Sequence, residues 1–388
     1  MGYSDFKSPY GFLKDVESEN RGNYKVFIPG KLPPPTDFFS NKKLQRTLYD
    51  ATTAISKLSG ICTQLPNPDM LVVPYMKREA VLSSQIEGTR ISLSELLMSS
   101  AKNEEESNDV REVVNYILAI RYGLGKIEDG ERIDLELIKK MHKLLMRGVR
   151  GYDRRPGEFR NIQNWVGPPT SDIQDATFVP PDPGSIENLM ADLVEYINNS
   201  DALEIPLIKC AMIHYQFETI HPFCDGNGRI GRALITLYLC RSRIIEKPIM
   251  YLSGFFNEYK REYNSLLLGA NMNSDFLAWT SFFLEAIKVQ ASEAMLTARK
   301  LQNLREQYRD EMQSISLTTN YIKTVDSLFV NPYKNIRTVS KDLGVSYPTA
   351  KKIVDKLIDM GILELAESKG RGNIFVAKKI LSLIDDRK

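Results

Sequence analysis

The sequence predicts a mainly α-helical protein, and three observations point to that fold class. Apolar residues recur at a spacing of about 3.6 along most of the chain, as in residues 42–58, which is typical of amphipathic helices. Residues 151–185 interrupt this pattern with a run dense in Gly, Pro and Asp, so we expect a long functional loop or a small β-hairpin there. Residues 316–388 have the order helix, turn, helix and two β segments, which predicts a winged helix-turn-helix domain.

The composition is that of an ordinary globular protein. The chain has 388 residues, 43% of them hydrophobic, and a formal net charge of +2, so only a local patch could bind nucleic acid. Its first residues lack the apolar core of a secretion signal, and Phe6 stands where a myristoylation pattern needs Ser or Thr. We therefore expect a cytoplasmic protein with no membrane partner. Scattered cysteines fit reduced thiols: Cys62, Cys210, Cys224 and Cys240.

The N-terminal region, residues 1–105, is expected to contain an arm and three helices. Residues 1–45 are rich in Pro, Gly and aromatic residues, which indicates an extended arm. A helix is expected from Lys42 to Gly60, where the glycine would end it. A second helix would end at Gly88, and the sequence "SLSE" predicts a capping box for a third.

The rest of the chain predicts a helical core, a linker and the winged-helix domain. Two helices are expected within residues 109–150, and others follow the Gly- and Pro-rich segment. A further helix is expected from Arg229 to Ile244, and a long, increasingly charged helix comes later. These patterns place the core at residues 106–287, a linker helix at residues 288–315 and the winged-helix domain at residues 316–388.

The stretch "HPFCDGNGRIGR", from His221 to Arg232, is the richest in chemistry. Its three glycines can adopt positive φ and let backbone N–H groups converge on an anion. An apolar helical pattern follows directly, so these amides lie at a helix N-terminus, where the macrodipole favours phosphate. Arg229 and Arg232 lie one turn apart and can reach the same polyphosphate.

An acid and a base complete the predicted phosphate site. Asp225 would repel phosphate unless a hard cation such as Mg²⁺ lay between them. His221 can remove a proton from an incoming hydroxyl, because an ordinary imidazole pKa is near ~6.5. A glycine turn or a histidine alone is more often structural, but together these parts indicate phosphoryl or nucleotidyl transfer. His214 is interpreted as a core residue, since a third N or S ligand for a metal is missing.

This stretch matches the signature H-P-F-x-D/E-G-N-G-R-x-x-R at every position, and the chain thereby resembles the Fic family. Most proteins of that family are adenylyltransferases, which move AMP from ATP onto a protein hydroxyl and release pyrophosphate. The resemblance implies an all-helical core with a β-hairpin flap, His221 as the general base and Asp225 as the Mg²⁺ ligand. The ATP-binding residues that it implies are Glu87, Gly226, Asn227, Gly228, Arg229, Ile230, Gly231, Arg232 and Asn264.

The resemblance also implies separate roles around the triphosphate. Asn227 would hold the α-phosphate, Arg229 the β-phosphate and Arg232 the γ-phosphate. Asn264, in "REYNSLL", matches a family asparagine that contacts the adenine base of the nucleotide. Residues 157–183 would form the flap, which aligns a segment of the target protein by strand-like pairing.

The stretch "SSQIEGTR" resembles the inhibitory signature [ST]-x-x-x-E-[GN] of Fic proteins that carry their own inhibitory helix. Ser83 and Glu87 are four residues apart and therefore on one helix face, and Gly88 would end the helix. We expect Glu87 to form a bidentate bridge with Arg232 and to occupy the arginine that the γ-phosphate needs.

Two alternatives to AMP transfer remain open from the residues. A phosphotransferase could use the same site, although Doc-type relatives depart from the family pattern at positions that Gly226 and Arg232 match here. A nucleotide-sensing transcription regulator could bind DNA through residues 316–388. Residues 321–388 contain 13 Lys and Arg against 8 Asp and Glu, but winged helices also bind proteins. A homodimer is compatible with the sequence.

Overall fold

The computed structural model describes residues 6–19, 21–35, 40–63, 68–102, 107–149, 155–167, 172–199, 204–315, 317–369 and 372–385. Within these residues the chain forms fifteen α-helices and two small antiparallel sheets. The predicted fold class, mainly α, is confirmed. In this described part of the chain, no helix combines the length and the apolar character that crossing a membrane requires.

The N-terminal arm is not an extended segment, and that prediction was wrong. Strands β1 (Gly11–Val16) and β2 (Tyr24–Pro29) form an antiparallel hairpin. The end of β2 is buried, where Val26 and Ile28 pack against a small cluster from residues 173–179. The backbone N–H of Phe27 also donates to the Val179 carbonyl at 3.0 Å. The hairpin therefore packs against the Gly- and Pro-rich segment at residues 173–179.

The N-terminal helices are α1 (Lys42–Thr63), α2 (Asp69–Ile86) and α3 (Leu93–Lys102). Helix α1 runs through Gly60, so the prediction that this glycine ends the helix was wrong. An internal glycine costs a helix only about 1 kcal/mol, and the packing of α1 along the chain's longest helix outweighs that cost. Gly88 follows the end of α2 with φ of 101°, and the "SLSE" capping box is present, as predicted.

The core contains α4 (Asn108–Glu128), α5 (Leu135–Leu145), α6 (Ile186–Asn198), α7 (Pro206–Ile220) and α8 (Asn227–Arg241). Helix α7 is largely apolar and is buried on nearly every side, and α8 is equally buried although it carries Arg229 and Arg232. Helix α8 begins two residues before the predicted Arg229 and ends three residues before Ile244.

The predicted flap is tied together by one antiparallel bridge between Val166 and Phe178. Short 3-10 turns at Ile173–Asp175 and Pro183–Ser185 replace the rest of the expected hairpin. Residues 168–171 lie outside the described residues.

Three more helices follow α8: α9 (Ser253–Glu258), α10 (Lys260–Asn273) and α11 (Phe276–Ser314). Helix α11 is continuous through residue 288, where the sequence suggested that a linker begins. Its apolar side is buried along much of its length, so it belongs to the core and to the C-terminal region at once.

The C-terminal region contains α12 (Thr319–Val330), β3 (Tyr333–Asn335), α13 (Ile336–Leu343), α14 (Tyr347–Asp359), β4 (Glu364–Lys369), β5 (Gly372–Val376) and α15 (Lys378–Ile384). The sheet order is β3-β5-β4, antiparallel throughout. Gly344 turns the chain between α13 and α14 with φ of 65°. The order α13, turn, α14, β4 and β5 is the one predicted from the sequence, whereas β3 and α15 were not predicted.

This region packs against the N-terminal helices. Tyr333 shares a 2.6 Å hydrogen bond with Ser94 of α3. The side-chain amide of Asn335 donates to the carbonyl of Ala101 at 2.7 Å. Helices α12 and α15 also pack against α2, and the buried apolar residues of the two regions form one continuous cluster. The C-terminal region therefore shares its core with the rest of the molecule.

Candidate active site

His221 lies directly after the last turn of α7. Its backbone is left-handed, with φ of 49° and ψ of 59°, an uncommon conformation for a residue other than glycine. The Nε of Arg160 donates to the His221 carbonyl at 2.9 Å, which helps to hold this strained residue. Burial, followed by the nearby positive charge of Arg160, lowers the pKa of His221 to about 4. The imidazole is therefore neutral at neutral pH and can accept a proton.

Arg160 also fixes the base of the flap. Its side chain is buried and donates to the carbonyls of Ile162 and Pro181 at 3.2 and 2.5 Å, while its backbone N–H donates to the Pro222 carbonyl. The two ends of the flap are thus bound to the histidine loop through one guanidinium. Sequence reasoning missed this residue, although an arginine in a Gly- and Pro-rich loop was a signal.

The loop after His221 is locked by Asn227. Its side-chain oxygen accepts from the N–H of Phe223 and its amide donates to the Phe223 carbonyl, both at 2.8 Å. Both polar atoms of this amide are thus engaged within the loop, and its role toward an α-phosphate stays a prediction. Gly226 adopts φ of 78° and packs closely on α5, where a Cβ would lie 3.1 Å from Leu145 and Met146.

Asp225 is held by a histidine that sequence reasoning did not single out. His142 of α5 stacks on Phe223, with ring centroids 3.8 Å apart. Its Nδ1 accepts from the Gly157 N–H at 2.8 Å, so its Nε2 carries the proton and donates to the Asp225 carbonyl at 2.9 Å. His142 thereby links the flap, at Gly157, to the predicted metal ligand.

Asp225 could contribute one carboxylate to a metal site. Its side chain is 38% exposed, and among the described residues no group of three or more His, Cys, Asp or Glu side chains could hold a metal ion. Mg²⁺ bound with nucleotides commonly takes one or two carboxylates and completes its shell with phosphate oxygens and water. The residues present therefore fit a Mg²⁺ ion that arrives with a phosphate ligand.

Arg232 is buried, and residues 83 and 87 accept three hydrogen bonds from it. Its Nη2 donates to Glu87 Oε1 at 2.7 Å and to the Ser83 carbonyl at 2.9 Å, while its Nε donates to Ser83 Oγ at 2.9 Å. The contact between Arg232 and Glu87 is a single bond rather than the predicted bidentate bridge. Ser83 takes the Nε donor and the second Nη2 donor, so Glu87 receives one bond.

A cavity of about 640 Å³ opens beside these groups. It lies between the end of α2, the flap, the N-terminus of α8 and helix α10, and such a volume suits a nucleotide-sized ligand. The predicted site residues that line it are Glu87, Gly88, His221, Gly228, Arg232 and Asn264. The structure therefore brings the proposed base, one arginine and the inhibitory glutamate into one cavity.

Other predicted site residues lie behind this cavity. Ile230 is 1% exposed and belongs to the hydrophobic core. Gly231 faces α7, where an added Cβ would lie 2.1 Å from Glu218 Oε1 and 3.0 Å from the Phe217 ring. Gly231 is thus needed for close packing of α7 on α8, and its predicted contact with ATP has no support in this geometry.

Glu218 is a further polar residue of the cavity that sequence reasoning missed. Burial raises its pKa to about 7, partly offset by the positive charge of Arg232. Its Oε1 is buried and has no hydrogen-bond partner in the described residues. The signal was an acid three residues before His221, one turn back on the same helix.

Comparison with protein-family models finds two adjacent matches. The model described as "Fic/DOC family N-terminal" matches residues 45–125, and the model described as "Fic/DOC family" matches residues 132–239. The second match contains the loop from His221 to Arg232, and the first contains Ser83 and Glu87.

Among characterised proteins, the chain is 30% identical over 155 residues to the protein adenylyltransferase Fic of Drosophila grimshawi, covering 40% of this chain and 29% of that protein. It is 28% identical over 174 residues to a probable protein adenylyltransferase of Aquifex aeolicus, covering 44% of this chain and 49% of that one. The chain thus matches less than half the length of either relative.

Two solved structures share the fold. A Fic family protein from Desulfovibrio desulfuricans is 19% identical with a TM-score of 0.57, and the match covers 89% of this chain and 98% of that one. A Fic domain-containing signalling protein from Bacteroides thetaiotaomicron is 21% identical with a TM-score of 0.52, covering 64% and 98%. The first match includes most of this chain.

Proposed function

We propose, from the matches of residues 45–125 and 132–239 to the Fic/DOC family models, that this chain is an enzyme that transfers AMP from ATP to a hydroxyl group of a protein. The hydroxyl would belong to a Ser, Thr or Tyr side chain, either of another protein or of the chain itself. Pyrophosphate would be the second product.

One observation carries the proposal: a neutral imidazole and a buried guanidinium face the same cavity at the N-terminus of a helix. His221 supplies the imidazole, Arg232 the guanidinium and α8 the helix. The first N–H groups of α8 have no partner within the helix, and the helix dipole favours negative charge at this end. The site can therefore bind a polyphosphate beside a proton acceptor.

The proposed reaction uses these groups in turn. His221 takes the proton of the target hydroxyl, the hydroxyl oxygen bonds to the α-phosphorus, and the bond between that phosphorus and the β-phosphate oxygen breaks. The amides at Gly226–Gly228 stabilise the charge on the α-phosphate, and Arg229 and Arg232 hold the leaving pyrophosphate. Mg²⁺, held by Asp225 and the phosphates, would neutralise charge on the phosphate oxygens.

We further propose that residues 83–88, which we call the inhibitory segment, keep the enzyme at low activity. Glu87 and Ser83 occupy the donors of Arg232 that a γ-phosphate would need. The Glu87 carboxylate is also close to the helix N-terminus, since a Cβ on Gly228 would lie 2.3 Å from its Oε1. A triphosphate in the productive position would therefore meet both a blocked arginine and a like charge.

The flap is proposed to align the target segment. Val166 at the bridged edge is 43% exposed, and Ile162 nearby is 56% exposed. An extended peptide can add to such an edge through backbone hydrogen bonds while its own hydroxyl points toward His221.

Incubation with ATP labelled at the α- or the γ-phosphate tests the proposal. With Mg²⁺ and an acceptor lysate, Glu87→Gly is expected to transfer the α-label to protein at least about tenfold faster than wild type, because the arginine is released. The γ-label should stay in pyrophosphate. Addition of His221→Ala to Glu87→Gly gives the matched inactive control.

If the protein instead retained the γ-label, the proposed activity would be phosphate transfer and not AMP transfer. Equal rates for Glu87→Gly and wild type would remove the inhibitory role of Glu87 but leave the transfer itself standing. Transfer of the α-label by the His221→Ala control would exclude this histidine as the base.

A second function, DNA binding by the C-terminal region, is proposed from the surface of α14. Tyr347 is 50% exposed at its start, and Lys352 is exposed on the helix that would enter the major groove. Because the buried core continues into this region, the test uses the full chain. Lys352→Ala should weaken DNA retention and flatten its salt dependence, while the exposed Lys379→Ala on α15 serves as the control.

A further inference from the structure

Three polar side chains follow one another at four-residue intervals along α2: Glu79, Ser83 and Glu87. This spacing places them along the same side of the helix. Ser83 and Glu87 bind Arg232, as described above. Glu79 lies one turn further back, away from the cavity, and neither the motif nor the proposed reaction uses it.

Glu79 makes contacts that a surface acid would not make. Its side chain is 2% exposed, and its Oε1 accepts hydrogen bonds from the Tyr116 hydroxyl at 3.0 Å and the Ser253 hydroxyl at 2.5 Å. Tyr116 belongs to α4, inside the core, and Ser253 begins α9. One carboxyl oxygen of α2 is therefore bound from two different helices.

The other carboxyl oxygen is buried beside a small pocket. Glu79 Oε2 and the Tyr251 hydroxyl have no hydrogen-bond partner within the described residues, and both residues line a cavity of about 20 Å³. A volume of that size holds about one water molecule. Burial raises the pKa of Glu79 to about 7, and the nearby charge of Arg232 acts in the opposite direction. Burying such a group is costly unless its hydrogen bonds hold it in one place.

We propose that Glu79 is a positioning residue for the inhibitory segment, which it aligns with Arg232 by fixing the rotation and the axial position of α2. Most buried residues of α2 are apolar, and the hydrophobic effect that buries them is not directional. Directional hydrogen bonds from α4 and α9 do select one. The proposal rests on the inhibitory role proposed for Glu87.

An ordinary core function for Glu79 predicts different behaviour. If Glu79 only stabilised the fold, its loss would lower activity by the same factor whether or not Glu87 is present. If it positions the inhibitory segment, its loss raises activity in the presence of Glu87 and has no such effect once Glu87 has been removed.

The experiment is a double-mutant comparison with α-labelled ATP. Glu79→Ala is expected to raise AMP transfer about tenfold over wild type, the ratio that one buried hydrogen bond to a carboxyl contributes to an equilibrium. In the Glu87→Gly background the same substitution should change the rate less than about twofold. Glu79→Gln retains an acceptor oxygen for both hydroxyl donors and should behave like wild type.

Two further variants separate positioning from loss of fold. Tyr116→Phe removes one donor, keeps the ring in the core and should raise transfer in the same direction as Glu79→Ala. Thr280→Ala is the matched control, because Thr280 is also buried but lies on α11, outside the inhibitory segment, and its hydroxyl has no partner in the described part of the chain. It should leave the rate unchanged.

Hydrogen–deuterium exchange keeps this inference separate from the proposed activity. In Glu79→Ala and Tyr116→Phe, the amides of residues 83–89 should exchange at least about fivefold faster than in wild type, with core helix α7 unchanged. This readout needs no transfer of AMP. Unchanged exchange and unchanged transfer would overturn the inference, as would equal loss of activity in both backgrounds. Faster exchange without any AMP transfer by Glu87→Gly would refute only the proposed function.

Discussion

The surroundings of Arg229 and Arg232 differ sharply, although both arginines lie on α8, three residues apart, and both are buried. Arg232 makes three hydrogen bonds of 2.7–2.9 Å to Ser83 and Glu87 of α2. Arg229 lies 3.6 Å from a carboxylate oxygen of Asp225 and 3.9 Å from that of Glu112. In the described part of the chain its Nε and Nη1 have no hydrogen-bond partner.

The difference is that Arg232 is already bound by side chains of the protein, whereas Arg229 is not. A buried guanidinium with unfilled donors has lost solvation that it has not regained, so an incoming phosphate can restore those bonds at Arg229. At Arg232 the same phosphate must first displace Ser83 and Glu87. We call Arg229 the open part of the predicted triphosphate site because its Nε and Nη1 donors are unfilled, although it is 5% exposed and does not line the cavity. We call Arg232 the closed part because Ser83 and Glu87 already bind it.

The largest effect is expected when the base is removed after Arg232 has been released. In the Glu87→Gly background, His221→Ala should lower AMP transfer by about 10²- to 10⁴-fold, because release of the arginine cannot replace a proton acceptor. Transfer of the α-label from ATP measures it. If the double variant kept activity within about tenfold of Glu87→Gly, the reaction released by freeing Arg232 would not depend on His221.

The second effect concerns stability and compares the two arginines directly. Arg232→Ala leaves Ser83 and Glu87 without their partner and should lower the free energy of unfolding by about 2 kcal/mol. Arg229→Ala removes a charge whose donors are unfilled, so its change should remain within about 1 kcal/mol. Urea unfolding measures both values. Equal losses would show that the Arg232 contacts contribute nothing beyond burial.

The same comparison has an internal control. Glu87→Gly combined with Arg232→Ala removes both charges of the pair and should be more stable than Arg232→Ala alone. A double variant that is less stable than either single variant would contradict the pairing seen between α2 and α8.

The third effect is the thermal shift produced by ATP. At equal ATP and Mg²⁺ concentrations, Glu87→Gly should gain about 2–4 °C more in unfolding temperature than wild type, because binding no longer requires displacement of Glu87. Arg229→Ala should reduce the shift in both backgrounds, since it removes the open part of the site. Identical shifts for wild type and Glu87→Gly would mean that Arg232 is not part of the ATP site.

The sequence predicted the parts of this site that depend on local pattern. The capping box at Ser92 and the helix end at Gly88 are each fixed by residues close together in the chain, and both predictions were confirmed. Of the three glycines expected to take positive φ before α8, only Gly226 does so, because Gly228 and Gly231 lie inside the helix. The nearness of Glu87 to Arg232 came from family resemblance rather than from spacing. The structure places the two side chains in contact, although with one bond instead of two.

The residues that sequence reasoning missed act through distant partners. His142, Arg160 and Glu79 reach residues between 15 and 174 positions away along the chain. A lone histidine, arginine or glutamate has no local pattern that marks such a contact. The β1–β2 hairpin was missed for the same reason, because its burial depends on residues 173–179.

The smallest effect concerns the histidine beside each arginine. Burial lowers the pKa of His142 to about 4, and the charge of Arg229 is a smaller cause in the same direction. Burial and the charge of Arg232 lower the pKa of His214 to about 3. Both values lie below the ordinary pKa of ~6.5, so each neutral histidine contributes stability above that pH, and the contribution is lost as pH falls toward 4.

Arg229→Gln should therefore raise the pKa of His142 and leave that of His214 unchanged. Arg232→Gln should raise the pKa of His214 and leave that of His142 unchanged. NMR titration of the three histidines measures these shifts, and His221 serves as the internal reference. Because burial is the larger cause at both sites, each shift should be only a fraction of the total lowering. If Arg232→Gln raised the pKa of His142 instead, the two arginines would share one electrostatic environment, and the contrast between an open and a closed half of the site would fail.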